Sequence, residues 1–437
     1  MKSFKMKNMK KGYFVGDFSP AVLENNAVEL ACKGASKYTL YAAYYRKEDT
    51  TVILIMSGRL DVDGKIYKYG DVLLFEPGDI INLFALTNVR MIVSHFPGTK
   101  KDLCRVVWDD FDKMNDFYLS YLSKITTGLP KDTLASKSKR IDSKDISVVI
   151  QGYYDPILTA NSVASVRKHL KNATVILSTW KECDCSKADY DVLVLSDDPG
   201  NKDCALYADI PIPNNGNRQI LSSKAGLEKV KTKYTLRMRS DMVLLSDDIL
   251  SYTDAFPKRE KDYKIFSEKI IIGELYSRND FCYYDPNGCK HKVPEPFHPS
   301  DWFYFGLTSD LKLIYDNIDL IPDNELADYT CKYPKRVHSN KYKYSWRYTS
   351  EQHIILGVIK KYFKNLRFED WTDWDDENIK LSEKIMMNNF TVLNFCQHKI
   401  LNQKYIPESY SNSGACYKEK RLMTNAQMKD YFENVSK

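Results

Sequence analysis

Residues 234–245 read "YTLRMRSDMVLL". A strand buried on both faces is a near-continuous apolar run, and this one is broken by Arg239, Ser240 and Asp241 before the apolar residues resume. A basic-polar-acidic triplet is poor core material, so the strand end is expected to present a carboxylate to something outside the sheet. Upstream, "ISVVIQGYY" (146–154), "ATVILSTW" (173–180) and "YDVLVLSDDPG" (190–200) read as three strands. Between them "PILTANSVASVRKHL" (156–170) has helical periodicity, as does "NRQILSSKAGLEKVKT" (217–232), which precedes the quoted fourth strand. Such alternation predicts an α/β domain with a mostly parallel sheet. Ligands of these sheets bind beyond the carboxyl ends of the strands, where "QGYYDP", "DDPGN" and "RSD" fall. Neither GxGxxG nor GxxxxGK[ST] occurs, which argues against a dinucleotide enzyme or a P-loop NTPase.

The chain of 437 residues exceeds one hydrophobic core and predicts two or three domains. With 43% hydrophobic and 28% charged residues it has the composition of a folded protein. The net charge of +6 is small for this length and widely spread, so nucleic acid is not an expected partner. Ten cysteines include no CxxC pair; Cys183 and Cys185 are too close for easy bridging and lack a second cluster for zinc, so reduced thiols are expected. The stretch "MKSFKMKNMKKGYFVGDFSP" (1–20) is basic without the apolar core of a secretory signal. No segment reaches the roughly 18 apolar residues of a membrane span. A cytoplasmic location, at most peripheral to the inner membrane, is the expectation.

Residues 51–98, "TVILIMSGRLDVDGKIYKYGDVLLFEPGDIINLFALTNVRMIVSHFPG", are short runs separated by Gly turns, with a hairpin signal at Asp63–Gly64. The spacing of Gly58, Gly70–Asp71 and Pro77–Gly78 resembles the turn pattern of a cupin barrel. Cupins that hold a metal supply several His and a Glu, because a divalent ion needs converging ligands; here "GRLDVDGK" has no His and only His95 remains. A lone His is expected to satisfy a hydrogen bond, leaving the barrel a ligand-binding, docking or dimerising module, with a homo-oligomer through it among the expected partners. Residues 106–145 begin with helical spacing and end Lys/Ser-rich, the pattern of a helical linker. The expected domains are thus a cupin-like barrel (1–105), a helical linker (106–145) and an α/β domain (146–437).

Within the last domain, "ISVVIQG" (146–152), "SVRKHLKNATVILSTW" (165–180), "LSDDPG" (195–200), "NNGNRQILSSKAGLEKVKTKYTLRMRSDMVL" (214–244) and "HPSDWFYFGL" (298–307), in that order, resemble the WavE family of bacterial polysaccharide-synthesis proteins. The resemblance implies a nucleotide-sugar-dependent glycosyltransferase with a glycosyltransferase-A type fold, a Rossmann-type mixed sheet with helices on both faces. It would act in lipopolysaccharide, lipooligosaccharide or capsule assembly. Transfer from a nucleoside diphosphate sugar leaves a diphosphate whose developing charge must be neutralised. Enzymes of this type usually use Mg²⁺ or Mn²⁺ on an Asp-x-Asp motif at a strand end, with hard oxygen ligands. Here the motif reads "RSD": Arg239 replaces the first acid and Asp241 remains. Arg239 is expected to face phosphates or to form a strand-end ion pair, Asp241 to bind metal or sugar hydroxyls, and His398 in "VLNFCQHKI" is a candidate further metal ligand.

Further donor-side candidates are Gln151 and Gly152 at the first strand end, where Gly permits close backbone approach, and Asp198 after the third. Asn217, Arg218 and Gln219 stand at a helix start, where free N–H groups suit an anion. In "PEPFHPSDWFYFGL" (294–307), His298, Asp301 and Trp302 suit an acceptor wall, since aromatic faces stack on sugar rings. An inverting transferase needs a general base near the acceptor hydroxyl. Glu351, at the head of a helix-like run capped by Thr349 or Ser350, is the first choice and Asp301 the second. The stretch "KYPKRVHSNKYKYSWRYT" (332–349) interleaves basic and aromatic residues and suits an anionic acceptor, the diphosphate or lipid headgroups. The alternatives are a sugar-phosphate or nucleotidyl transferase and a non-catalytic sugar-nucleotide-binding scaffold.

Overall fold

The computed structural model describes residues 4–6, 9, 12–19, 21–98, 102–126, 132, 134–135, 141–207, 210–284, 290–327, 329–333, 344–404, 423 and 425–435. Most of the Lys/Ser-rich part of the linker, and 334–343 of the basic-aromatic stretch, lie outside them. Two compact units are present, one running to Leu129 and the other from Pro130.

The first unit is built from β1 (Tyr13–Val15), β2 (Glu29–Ala35), β3 (Leu40–Arg46), β4 (Thr50–Ser57), β5 (Arg59–Val62), β6 (Lys65–Lys68), β7 (Val72–Phe75), β8 (Ile81–Ala85), β9 (Val89–Phe96), β10 (Leu103–Arg105) and α1 (Phe111–Thr126). The strands form two five-stranded sheets, ordered β1-β2-β9-β4-β7 and β10-β3-β8-β5-β6. Within them β2-β9-β4-β7 and β3-β8-β5-β6 have the two-Greek-key order of a jelly roll, the architecture of cupins. Alternation drives the packing: Thr51, Ile53 and Ile55 of β4 and Met91, Val93 and His95 of β9 are buried, whereas Val52, Leu54 and Ile92 are only partly so. The "DG" signal is realised in the β5–β6 hairpin, with Asp63 at φ 50° and Gly64 at φ 87°, the double left-handed turn this dipeptide favours. Helix α1 packs on the barrel, its Tyr121 ring edge-on to Phe84 at 5.7 Å, and its Lys124 pairs with Asp61 at 2.8 Å. His95 is buried, its Nδ1 3.0 Å from the Thr51 hydroxyl. Burial, reinforced by the nearby Arg46 charge, pushes its pKa down to about 4.

The second unit opens with β11 (Ile146–Gln151), α2 (Leu158–His169), β12 (Thr174–Trp180), β13 (Val192–Ser196), a hairpin of β14 (Lys202–Tyr207) and β15 (Ile210–Asn214), α3 (Gly216–Glu228), β16 (Tyr234–Arg239) and β17 (Met242–Leu244). It continues through β18 (Ile270–Gly273), β19 (Asp280–Tyr284), β20 (Lys290–Pro294), β21 (Phe303–Leu307), α4 (Thr308–Tyr315), α5 (Asp323–Leu326), β22 (Tyr329–Thr330) and β23 (Tyr344–Ser345). It closes with α6 (Ser350–Tyr362), α7 (Asp376–Asn389), β24 (Phe390–Leu393), α8 (Phe395–His398), β25 (Ile400–Asn402) and a last helix, Asn425–Val435. A seven-stranded sheet runs β13-β12-β11-β16-β21-β18-β24. It is parallel except at β21, which is antiparallel to β16 and β18. Every residue of β11 is buried, as befits a central strand covered on both faces.

The quoted run 234–245 is not one strand. It divides at Ser240–Asp241: β16 stays in the large sheet, while β17 leaves it to pair antiparallel with β25, Met242 opposite Asn402 and Leu244 opposite Ile400. Among the described residues no helix is long and apolar enough to cross a membrane.

Candidate functional site

The chain leaves β11 toward β12 and β13 on one side and returns to β16 on the other. Loops leaving the carboxyl ends of β11 and β16 therefore part in opposite directions, and a crevice opens between them. Gln151 and Arg239 stand side by side at that point. The crevice is a cleft of ≈ 810 Å³, lined at its head by Gln151, Gly152, Tyr153, Arg239, Ser240 and Asp241 and along its flanks by Trp180, Asp198, Asn215, Arg218, Gln219 and Lys404.

The floor is held by the main chain. Ser240 donates from N to the Gln151 carbonyl at 2.8 Å and from Oγ to the Tyr153 carbonyl at 2.7 Å. Gln151 is buried, its Oε1 accepting from Ser222 at 2.6 Å. Gly152 has φ 118°, and a Cβ there would lie 3.3 Å from Ser240 Oγ, so the turn out of β11 needs glycine.

Arg218, in the first turn of α3, grips Asp198 with Nε at 2.7 Å and Nη2 at 2.6 Å. That fork holds the Asp198 carboxyl below its usual range against a smaller cost of burial. Gln219 lines the cleft and reaches the Asp301 carbonyl at 3.3 Å. Asn217 turns the other way: its side chain both donates to and accepts from the Ile321 main chain, at 2.9 and 2.6 Å.

Arg239 and Asp241 are bound to each other, Nε to Oδ1 at 3.0 Å and Nη2 to Oδ2 at 2.7 Å. Asn402 Nδ2 adds 3.2 Å to Oδ1, and Lys404 Nζ lies 3.4 Å from Oδ2. Burial alone would raise the Asp241 pKa, but Arg239 and Lys404 outweigh it and hold the carboxyl below its ordinary value. Asn402 and Lys404 carry no recognisable motif; only the β17–β25 ladder brings them here. His398 lies at the other end of that ladder. Its Nδ1 accepts from Ile400 N at 2.9 Å, Nε2 is 3.5 Å from Glu274, and its ring packs on Phe303 at 4.9 Å. Mg²⁺ and Mn²⁺ want about six oxygen ligands. The donor set does not fit such an ion: the one carboxylate on the cleft floor is engaged on both oxygens, and among the described residues no group of three His, Cys, Asp or Glu side chains is placed to hold a metal ion.

Beside the cleft stand the acceptor-side candidates. Arg239 N donates to the Trp302 carbonyl at 3.2 Å, and the buried Trp302 ring lies between Tyr276, 5.1 Å away, and the Arg239 guanidinium, at 5.8 Å. Asp301 is buried; burial first, and the Glu351 charge second, raise its pKa to about 6. The fully buried Arg237 donates to the Asp301 carbonyl and, at 2.9 Å, to Ser223. Glu351 heads α6, whose N-cap is Thr349 in a reciprocal capping box with Gln352. The structure thus brings Gln151, Gly152, Asp198, Arg218, Gln219, Arg239 and Asp241 to one cleft, with Asp301, Trp302, His298 and Glu351 at its side, and leaves Asn217 and His398 out of it.

No curated protein matches the chain. Among solved structures it is similar to a conserved protein with a double-stranded β-helix domain from Klebsiella pneumoniae (16% identity, 19% of this chain and 74% of that one, TM-score 0.18). It is also similar to an RmlC-like cupin from Shewanella frigidimarina (18%, 18% and 72%, TM-score 0.16) and to KdgF from Halomonas (14%, 17% and 72%, TM-score 0.16). The model of one family, WavE lipopolysaccharide synthesis, matches residues 146–418, more than half of the chain. That segment contains every residue of the strand-end cleft, and the protein accordingly belongs to the WavE lipopolysaccharide synthesis family.

Proposed function

We propose that the second unit is a glycosyltransferase-A type domain that moves a sugar from a nucleoside diphosphate sugar to a growing bacterial surface glycan. The observation that carries this reading is the position of the cleft: a polar crevice at the topological switch point, with arginines on its walls and a glycine turn at its head. Such crevices take nucleotides, and membership of a lipopolysaccharide synthesis family supports this reading. The nucleoside lies over Gly152 and beside Asp198 and Arg218, with the diphosphate toward Arg239. The acceptor, a glycan or lipid-linked glycan at the inner-membrane face, approaches the partly exposed Glu351 carboxyl, beside which Trp302 and His298 are buried.

In an inverting displacement the acceptor oxygen attacks the anomeric carbon while Glu351 takes its proton. The bond from that carbon to the diphosphate breaks, and its electron pair leaves with the phosphate oxygen. Asp301, whose pKa burial and then the Glu351 charge raise to about 6, tunes the local charge beside that base.

Full-length protein is incubated with UDP-, GDP-, ADP- and CDP-sugars and lipopolysaccharide cores, with release of nucleoside diphosphate and growth of the core followed by mass spectrometry. Transfer that Glu351→Gln lowers by about two to four orders of magnitude supports the reading. Donor binding without turnover on any acceptor would return the scaffold alternative.

A further inference from the structure

We infer that the donor's diphosphate is neutralised by the Arg239 guanidinium and the Lys404 ammonium, oriented by Asp241 from below, and that no divalent cation takes part. The inference rests on the nucleotide-sugar reading and adds what the leaving group meets.

Three observations carry it. The first is the saturation of Asp241. A carboxylate has about four lone-pair sites, and three hydrogen bonds and one ion pair crowd them: Arg239 Nε and Asn402 on Oδ1, Arg239 Nη2 on Oδ2, and Lys404 Nζ 3.4 Å from Oδ2. A metal would have to displace a bidentate guanidinium, the strongest form of this pairing. The second is depth. The Asp241 side chain is 4% exposed, against 30% for Arg239 and 53% for Lys404, so an anion entering the cleft reaches both cations before the carboxylate. The third is the substitution itself: the position two residues before Asp241, where an acid would share a metal, holds an arginine whose partner is that same aspartate.

The arrangement suits the chemistry. As the anomeric C–O bond breaks, negative charge gathers on the departing phosphate. The guanidinium carries more N–H donors than the two Asp241 takes, and those match phosphate oxygens; a preorganised charge in a partly dry site costs no rearrangement at the moment of reaction. Asp241 then acts as a positioning residue: it fixes the guanidinium plane and never touches the substrate.

The test is titration calorimetry of full-length protein with UDP, GDP, ADP and CDP, once in EDTA and once in Mn²⁺, with folding of each variant checked by circular dichroism. The inference expects one nucleotide to bind equally in both buffers and Arg239→Ala or Lys404→Ala to weaken it about ten- to a hundredfold. Arg239→Lys, which keeps the charge but loses the fork, recovers part of that loss, and Asp241→Asn changes affinity by the same factor with and without Mn²⁺. Binding that appears only with Mn²⁺ and vanishes in Asp241→Asn overturns this inference alone. If no nucleotide binds in either buffer, the nucleotide-sugar reading falls and takes this one with it.

Discussion

Nε2 of His298 lies 3.6 Å from Oε2 of Glu351, and His298 is itself fixed by Nδ1, which is 3.0 Å from the Tyr276 carbonyl and donates to it. The Glu351 carboxyl therefore rests against a ring that cannot turn freely. Small displacements of a reacting group are costly, so His298→Ala is expected to lower kcat by between about tenfold and a hundredfold. Nucleotide affinity, set on the other side of the cleft, should be far less affected. Steady-state kinetics at saturating donor, beside calorimetric titration, separates the two.

Asp301 makes stability depend on pH. Its pKa rises from 3.8 to about 6, by burial first and then by the Glu351 charge. Because the folded state holds this proton more tightly than the unfolded one, stability is full below pH 3.8 and is lost as pH climbs through about 6. Asp301→Asn should raise the Tm at pH 7.5, by up to about 3 kcal/mol in stability, and the gain should disappear at pH 4. Neutral Glu351→Gln should shift the Asp301 titration to lower pH, read by carboxyl infrared bands.

Gly152→Ala tests the cleft head. The left-handed backbone at φ 118° and the 3.3 Å approach to Ser240 Oγ predict a loss of about 1–3 kcal/mol, seen as a lower Tm. Nucleotide binding should fall with it, since Ser240 ties this turn to the end of β16. Unchanged melting and unchanged binding would show that the turn tolerates a side chain and that its glycine serves no approach.

In the barrel, His95 predicts acid sensitivity. Its folded pKa of about 4 lies below the ordinary 6.5, so the unfolded state gains a proton first as pH falls. Stability is retained above pH 6.5 and lost between there and about 4, by about 3 kcal/mol. Hydrogen exchange of β4 and β9 amides in the intact chain, corrected for intrinsic rates, should speed up across that window, and His95→Gln should flatten the change. Thr51→Val, which strips the ring of its partner, should cost about 1–3 kcal/mol at neutral pH.

What could be read from the residues was whatever local pattern encodes. Asp63–Gly64 gave away its hairpin, the apolar run in 146–154 its buried strand, and Thr349 or Ser350 the start of α6, because turns, burial and caps are decided within a few residues. The apolar run 234–245 misled for the same reason. Periodicity reports burial, and both halves are buried; it does not report that Ser240 ties down the first half against Gln151 and Tyr153 while the second half pairs with β25. Arg239 and Asp241 stood out as an interrupted strand, yet their mutual fork, and the arrival of Asn402 and Lys404 at the same carboxylate, depend on strand pairing across the whole unit. His398 was attractive as a type of side chain; its place at the far end of that ladder is a matter of register, which no single segment specifies.

The β17–β25 pairing also bears on how the protein comes into being. Asn402 follows Asp241 by 161 residues, so during vectorial synthesis the aspartate waits for its partners until every strand of the large sheet has emerged. A nascent chain stalled before that ladder would have most of the sheet but an unfinished cleft. Completion of the site is thereby tied to the arrival of β25, so the cleft is among the last parts of this unit to take its final form.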